Sequence, residues 1–293
     1  MNTAVVAAPV AEASSWRDVV ALLKLRIGAL VVATAVAGAV AAGGRDAVEL
    51  AVLALACLVA ASGASALNHY FDRDLDARMA RTASRPLPSG RIRDPRLALW
   101  LGLGLVAASA LAAPVLGWGA VLYLLAGSAT YAVVYTAWLK RRTPYSIVLG
   151  GAAGSFAALA GWETAASTWA PEPQLLAALL FLWTPSHFWS LSIVLERDYR
   201  AAGVPALSAL AGARRTAAAV HANALALVAT SLALGLYAGP AYLAVALPAG
   251  LGFLACTERL RRNQAHERAW LAFKLSGVYL LILLAGLTVS ALT

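Results

Sequence analysis

The sequence predicts an all-α fold: a polytopic membrane bundle of nine transmembrane helices around a central cavity, with a cytoplasmic N-terminus. Three observations predict it. Of the 293 residues, 61% are hydrophobic and only 13% charged, against roughly 45–50% and 25% in a soluble domain. The apolar excess lies in long runs such as 47–67, 97–116 and 175–195, each close to the ~20 residues a helix needs to cross hydrocarbon. One such run can be a soluble core; eight or nine cannot. The third observation is where the basic residues fall.

Taken in order, the spans are expected at 20–42, 47–68, 97–116, 119–139, 147–164, 174–195, 217–238, 240–257 and 270–292. The fifth is short and rich in glycine (Gly150, Gly151, Gly154, Gly161), which suits tight helix–helix contact. Residues 1–15 hold one acid and no basic residue. A secretory signal needs a positive n-region, so this stretch is expected to be a flexible tail ahead of a single membrane domain over 16–293. Cys57 and Cys256 sit inside apolar runs with no metal or disulfide spacing and read as small hydrophobes.

The connections alternate between long basic ones and short ones nearly free of basic residues. Arg17, Lys24, Arg26 and the loops 69–96, 140–146, 196–216 and 258–269 hold 21 of the 23 lysines and arginines; the short set holds Arg45 alone. Basic loops stay in the cytoplasm, so the N-terminus and large loops are expected inside and the end of the ninth span outside. The same alternation requires an odd number of spans. A net charge of +9 is thereby accounted for by topology, and no nucleic-acid partner is implied. The loops after the second and sixth spans are both long and both begin with acids at a helix end. This suggests two four-helix halves facing each other, with a ninth helix added.

The chemistry-bearing segment is Asn68-His69-Tyr70-Phe71-Asp72-Arg73-Asp74-Leu75-Asp76. Four helical residues turn 400°, so Asn68, Asp72 and Asp76 drift by only about 40° per step and share one face. Asp74 points roughly the other way. Two carboxylates and an amide form an oxygen-only site of the kind Mg²⁺ takes, with substrate phosphates completing it. The bland alternative is a solvated loop in which these acids pair with Arg73 and Arg78. It leaves unexplained Asn68 at the end of an apolar run, where polar groups are costly and functional by default.

Arg85, beside a rigid Pro86-Leu87-Pro88 turn, could clamp a diphosphate or a lipid headgroup. Lys140 and Arg141, after the fourth span, are a topological anchor or, if that loop folds over the acids, phosphate ligands. His187, in an apolar span, reads as a packed polar residue, an acid/base or a haem-iron ligand.

These residues resemble the UbiA superfamily of membrane prenyltransferases. Asn68-x-x-x-Asp72-x-x-x-Asp76 with Arg81-Thr82-x-x-Arg85-Pro86-Leu87 matches its first motif in full. Further segments resemble one branch, the protohaem IX farnesyltransferases or haem O synthases. They are Leu22-Leu23-Lys24-Leu25-Arg26, Leu139-Lys140-Arg141-Arg142-Thr143-Pro144, Gly150-Gly151-Ala152-Ala153-Gly154, Gly161-Trp162, His187-Phe188-Trp189 and 198–205. Leu25, Ser146, Thr184, Ser186, Ala206 and the pair Ala157–Ala158 depart from the branch pattern. Leu195 stands where the first aspartate of a second paired motif falls elsewhere in the superfamily.

The resemblance implies farnesyl transfer from farnesyl diphosphate to a vinyl group of haem B, with water added, giving haem O at the cytoplasmic side of the cell membrane. It implies Mg²⁺ on Asn68, Asp72 and Asp76, with Asp198 and then Glu196 as ligands from the second loop. Diphosphate falls to Arg26, Arg81, Arg85, Lys140 and Arg141, and the acceptor to Trp183, His187 and Tyr199. A haem A synthase or oxidase-assembly protein is the candidate recipient of the product. An aromatic acceptor such as 4-hydroxybenzoate fits the first motif equally, but the His187 and Asp198-Tyr199 segments argue against it. A haem or ion transporter fits the spans, yet transporters place polar sites near the bilayer midplane on broken helices, whereas these acids lie at helix ends beside basic loops.

Overall fold

A computed structural model describes residues 15–293, and every regular element among them is helical. The tail expected over 1–15 lies outside the described residues, except for Ser15. Ser15 caps the first helix: its hydroxyl accepts from the Asp18 amide at 3.3 Å while its own amide donates to the Asp18 carboxylate, a reciprocal capping box.

The first crossing is broken. Helix α1 (Trp16–Leu23) and helix α2 (Leu25–Ala41) meet at Lys24, whose backbone is left-handed at φ 46°, ψ 49°. Lys24 is the one non-glycine residue with positive φ among the described residues. Helix α3 (Ala47–Arg78) is capped by the Asp46 carboxylate and runs unbroken for 32 residues. It passes ten residues beyond the expected end at 68, so the whole acidic motif rides on one continuous helix.

Helix α4 (Arg96–Ala108) leads through a 3₁₀ turn, Ser109–Ala112, into α5 (Ala113–Ala129) and a π-helical stretch, Thr130–Trp138. This 46-residue segment, Arg96–Arg141, is too long for one crossing and reverses at Gly117, where φ is 78°. Positive φ costs glycine nothing. Neighbours on α3 show the reversal: Gly102 abuts Gly63 and Leu67 on the way out. On the return, Ser128 donates to the Ala60 carbonyl and Asn68 donates to Thr136.

The fifth crossing is the pair α6 (Ser146–Gly150) and α7 (Ala152–Glu163), followed by α8 (Pro171–Val194), a short α9 (Glu196–Ala202), α10 (Leu207–Ala238), α11 (Pro240–Arg262) and α12 (His266–Leu292). Seven helical segments have the length and hydropathy of a membrane span. With the double crossing resolved and α6–α7 added, the described residues make the nine crossings expected, as a multi-pass membrane protein. Exposed aromatics gather at the two ends: Trp118, Trp169 and Tyr237 at one, and Trp16, Trp100, Trp138, Tyr145 and Trp270 at the other. Amphipathic rings of this kind settle at the two membrane–water interfaces.

Small residues set the packing. A Cβ on Gly63 would come within 2.7 Å of the Gly102 carbonyl, so α3 and α4 touch backbone to backbone. Without a hydrophobic drive between helices in lipid, such close approach is a main source of their association. The two acidic loops also meet. Leu75 and Met79, at the end of α3, bury against Tyr199, Ala202, Val204 and Ala206 of the α9 segment.

Candidate active site

Asn68, Asp72 and Asp76 are 3%, 1% and 1% exposed, so the solvated-loop alternative fails. The Asn68 amide is held from three sides. Its nitrogen donates to Asp72 Oδ2 at 2.8 Å and to Thr136 Oγ1 at 3.0 Å, and its oxygen accepts from Lys24 Nζ at 2.5 Å. Thr136 in turn donates to the Tyr131 carbonyl five residues back, a reach the π-helical turn provides. Single π turns inside α-helices often occur at functional sites.

Each carboxylate has its own cation. Lys140 Nζ lies 2.5 Å from Asp72 Oδ2, and Arg85 Nη1 lies 2.7 Å from Asp76 Oδ2. The Arg85 turn is tied back to α3 by the Thr82 hydroxyl, which donates to the Asp76 carbonyl. Like charges four residues apart repel; these pairings offset that, and they leave Asp72 Oδ1 buried with no partner. A buried anionic oxygen without a partner is costly, so it marks a place for an incoming cation. The donor set of one amide and two carboxylates fits Mg²⁺, which commonly takes one or two carboxylates and completes its shell with water and phosphate oxygens.

An apolar cleft of about 610 Å³, counted to its open mouth, follows α3 away from this cluster, with Ser65, one turn before Asn68, and Tyr131 at its near end. It is lined by Cys57, Ala60 and Ala64 of α3, Ile27 and Val31 of α2, and Tyr123 and Tyr131. Tyr131 stacks on Tyr135 at 5.9 Å and stands where the charges of Asp72 and Asp76 reach it. It forms the border between the polar head of the site and its apolar depth.

Several expected residues fall elsewhere. Arg26 is exposed on α2, one residue before the cleft-lining Ile27; the cation bonded to Asn68 is Lys24, at the break. Arg141 is held away from the cluster in a two-pronged pair with Asp74, 2.6 and 2.7 Å, and on the Phe71 carbonyl. Asp74 therefore points off the Asn68 face as helical geometry required, and it takes Arg141 with it. Arg81 is exposed, close enough for its charge to act on Tyr199.

Among the described residues no three His, Cys, Asp or Glu side chains come together to hold a metal, so Glu196 and Asp198 do not join Asp72 and Asp76 in such a set. Glu196 pairs instead with Arg200 at 2.8 Å, one turn along its own short helix, and Asp198 is half-buried. Tyr199 is buried against α3, and that burial pushes its phenol up to about 12, so it stays a neutral hydroxyl.

His187 and Trp183 lie between α8 and α12, away from the cleft lining. The Trp183 indole donates to the Ser276 carbonyl, and the imidazole is sandwiched between Trp183 and Phe273 at 4.5 and 4.3 Å. The Ser276 hydroxyl donates to the Phe273 carbonyl at 2.6 Å and so accepts from His187 Nδ1 at 2.7 Å. That bond assigns the proton to Nδ1 and leaves the lone pair on Nε2.

Sequence reasoning missed Lys24, Thr136, Tyr131 and His69 at this site. Helical periodicity could have found His69, seven residues and nearly two full turns before Asp76. The others reach the site through a broken or π-helical backbone that spacing does not reveal.

A site with a cation-ringed polar head and an apolar depth selects molecules of the same build, an anionic group on an apolar tail. This defines the class: membrane proteins that handle amphiphilic phosphates. Residues 30–282 match the model of the UbiA prenyltransferase family, and the chain belongs to that family. It is 43% identical over 275 residues to protohaem IX farnesyltransferase 2 of Paramagnetospirillum magneticum, covering 92% of this chain and 96% of that one. The fold is similar to the apo structure of a UbiA homologue from Aeropyrum pernix, with a TM-score of 0.74 at 23% identity, over 91% of this chain and 98% of that one. It is also similar to a UbiA homologue from Archaeoglobus fulgidus bound to DMAPP and Mg²⁺, with a TM-score of 0.68 at 16% identity, over 92% and 99%.

Proposed function

We propose that this chain transfers the farnesyl group of farnesyl diphosphate to a vinyl group of protohaem IX, with water added, yielding haem O and diphosphate. Residues 16–293 form one catalytic domain with the site at the cytoplasmic face. The observation that carries the donor half is the buried Asn68–Asp72–Asp76 face lying one turn along α3 from an apolar cleft. Support for the acceptor comes from the relatives, which are named for it.

Magnesium held by Asn68, Asp72 and Asp76 would neutralise the diphosphate and favour its departure. Lys24, Arg85 and Lys140 supply the protein's own share. Each now rests on a site oxygen and can turn onto a phosphate oxygen when the substrate arrives. Charge on the leaving group grows as the C–O bond breaks, so fixed cations stabilise the transition state more than the bound substrate. The Tyr131 ring lies at the border of the cleft, where an aromatic face would favour the allylic carbon as it becomes cationic. The apolar walls keep bulk water from that cation until the vinyl group has attacked. Asp198 assists from the second loop, and Arg81 and Tyr199 flank the approach to the diphosphate.

On the acceptor side, His187 presents the unprotonated Nε2 that an iron ligand requires, fixed by the Ser276 bond at Nδ1, with Trp183 packed beside it. Membranes holding the chain, incubated with haem B, Mg²⁺ and farnesyl diphosphate, are expected to yield a product heavier than haem B by a farnesyl and a hydroxyl group. Unchanged haem B, or farnesylation of 4-hydroxybenzoate in a parallel incubation, would overturn the reading. Haem spectra of wild type and His187→Ala should differ; identical spectra and rates would return His187 to a packing role.

A further inference from the structure

His69 is 2% exposed, and neither of its ring nitrogens has a hydrogen-bond partner. This is unusual, because buried polar side chains almost always find a partner. A neutral imidazole carries one N–H donor and one acceptor, and burying both unpaired costs roughly 1–3 kcal/mol for each group left unsatisfied. His69 is seven residues before Asp76 on α3, about 20° short of two full turns, so it lies on the edge of the same face.

The charges that act on His69 are those of Lys24 and Arg85, the two cations held on Asn68 and Asp76. No anion pairs with it. A metal ion at the ring would meet those two cations with no carboxylate paired to the imidazole to hold it. An anionic oxygen would be drawn there by them.

We infer that His69 is a diphosphate-binding residue, donating its N–H to a non-bridging oxygen that Lys24 and Arg85 also contact. The inference rests on the reading of this site as a diphosphate site. It adds a directional donor to a cluster in which three cations already outnumber two carboxylates. A further cation would deepen that imbalance in the empty state; an uncharged donor does not. The cost of the unpaired ring falls on the ligand-free protein and is relieved when the oxygen arrives.

This assigns His69 two effects of opposite sign. His69→Phe removes the unpaired nitrogens while keeping an aromatic ring of similar shape, so the ligand-free chain should melt at or above the wild-type temperature. The same variant should need ~10 to ~100-fold more inorganic diphosphate, at fixed Mg²⁺, for the same rise in melting temperature, as expected for one lost hydrogen bond to a charged acceptor. His69→Gln, which keeps a donor, should recover part of that affinity. If the larger ring cannot be packed, His69→Leu serves the same comparison.

The measurement is thermal unfolding of the full-length chain in detergent, titrated with inorganic diphosphate, beside the KM for farnesyl diphosphate. Equal diphosphate affinity in wild type and His69→Phe overturns the inference alone, as does a lowered melting temperature with unchanged affinity, which would mean a structural ring bonded to buried water. A wild-type chain whose melting does not respond to diphosphate overturns the diphosphate reading itself, and this inference with it.

Discussion

The chain carries two acidic segments at comparable places, one after the second crossing and one after the sixth, and they are built in opposite ways. On α3 the acids are interior. Asp72 and Asp76 are 1% exposed, and each is gripped by a cation from a different part of the chain. On α9 the acids are only half-buried: Glu196 is satisfied by Arg200 a turn away, and the fully buried residue beside Asp198 is Tyr199. The first segment is held by charge in a dry setting, where removing one partner of an ion pair leaves a buried charge uncompensated and is costly. The second is held by apolar contact with Leu75 and Met79. One is an assembled polar site, the other a cover docked against it.

That contrast ranks the effects of substitution. The largest belongs to the α3 acids. Asp72→Asn and Asp76→Asn should each lower turnover by about 10³-fold or more, the scale at which preorganised charge acts in catalysis. The purified variants should keep wild-type elution on size exclusion, and near-normal turnover in both would remove the metal role. Next come the cations. Lys24→Met and Lys140→Met should each cost about 10²-fold in kcat/KM, while Arg26→Gln stays within about twofold of wild type, as an exposed charge should. A reversed order would mean that the inward turn at Lys24 does not describe the working enzyme.

The α9 segment should respond less. Asp198→Asn is expected to cost about tenfold in kcat/KM, the scale of one hydrogen bond to a charged group, and Glu196→Gln less than about twofold. Equal, large losses at Asp72 and Asp198 would make the two segments a matched pair of ligand sets and end the contrast drawn above.

The smallest effect concerns alkaline stability. The folded phenol of Tyr199 titrates near 12 against an ordinary value of about 10, so the unfolded chain loses its proton first. The contribution to stability is complete below about pH 10 and is lost as pH rises from there toward 12. Tyr199→Phe should flatten the fall in melting temperature over that range and leave it unchanged at pH 8.

Much of this was legible in the sequence. Hydropathy gave the crossings because a helix in lipid must be apolar along its length. The shared face of Asn68, Asp72 and Asp76 followed from helical geometry, as did the diversion of Asp74. The cations that serve the face were harder. Lys24 and Arg26 are two residues apart, and a left-handed residue at the first decides which one turns inward. Lys140 and Arg141 are adjacent, and the choice between them depends on Asp74 capturing one. Thr136 reaches Asn68 from a π-helical turn, to which a 3.6-residue period is blind. Spacing reads regular helix, and the partners of this site come from the places where regular helix ends.

Arg45 stands between α2 and α3, at the end of the bundle opposite the acidic motif. Its guanidinium donates to the Val40 and Gly44 carbonyls at the end of α2 and, at 2.5 Å, to the Ala291 carbonyl of α12. The first and last crossings are thereby clasped together, and synthesis makes them in that order. Until the ninth crossing has been inserted, the Arg45 clasp has no second half and the flank of α2 that meets α12 faces lipid. Closing the bundle through this clasp requires both crossings to be in place, so one side chain ties together segments that lie 246 residues apart.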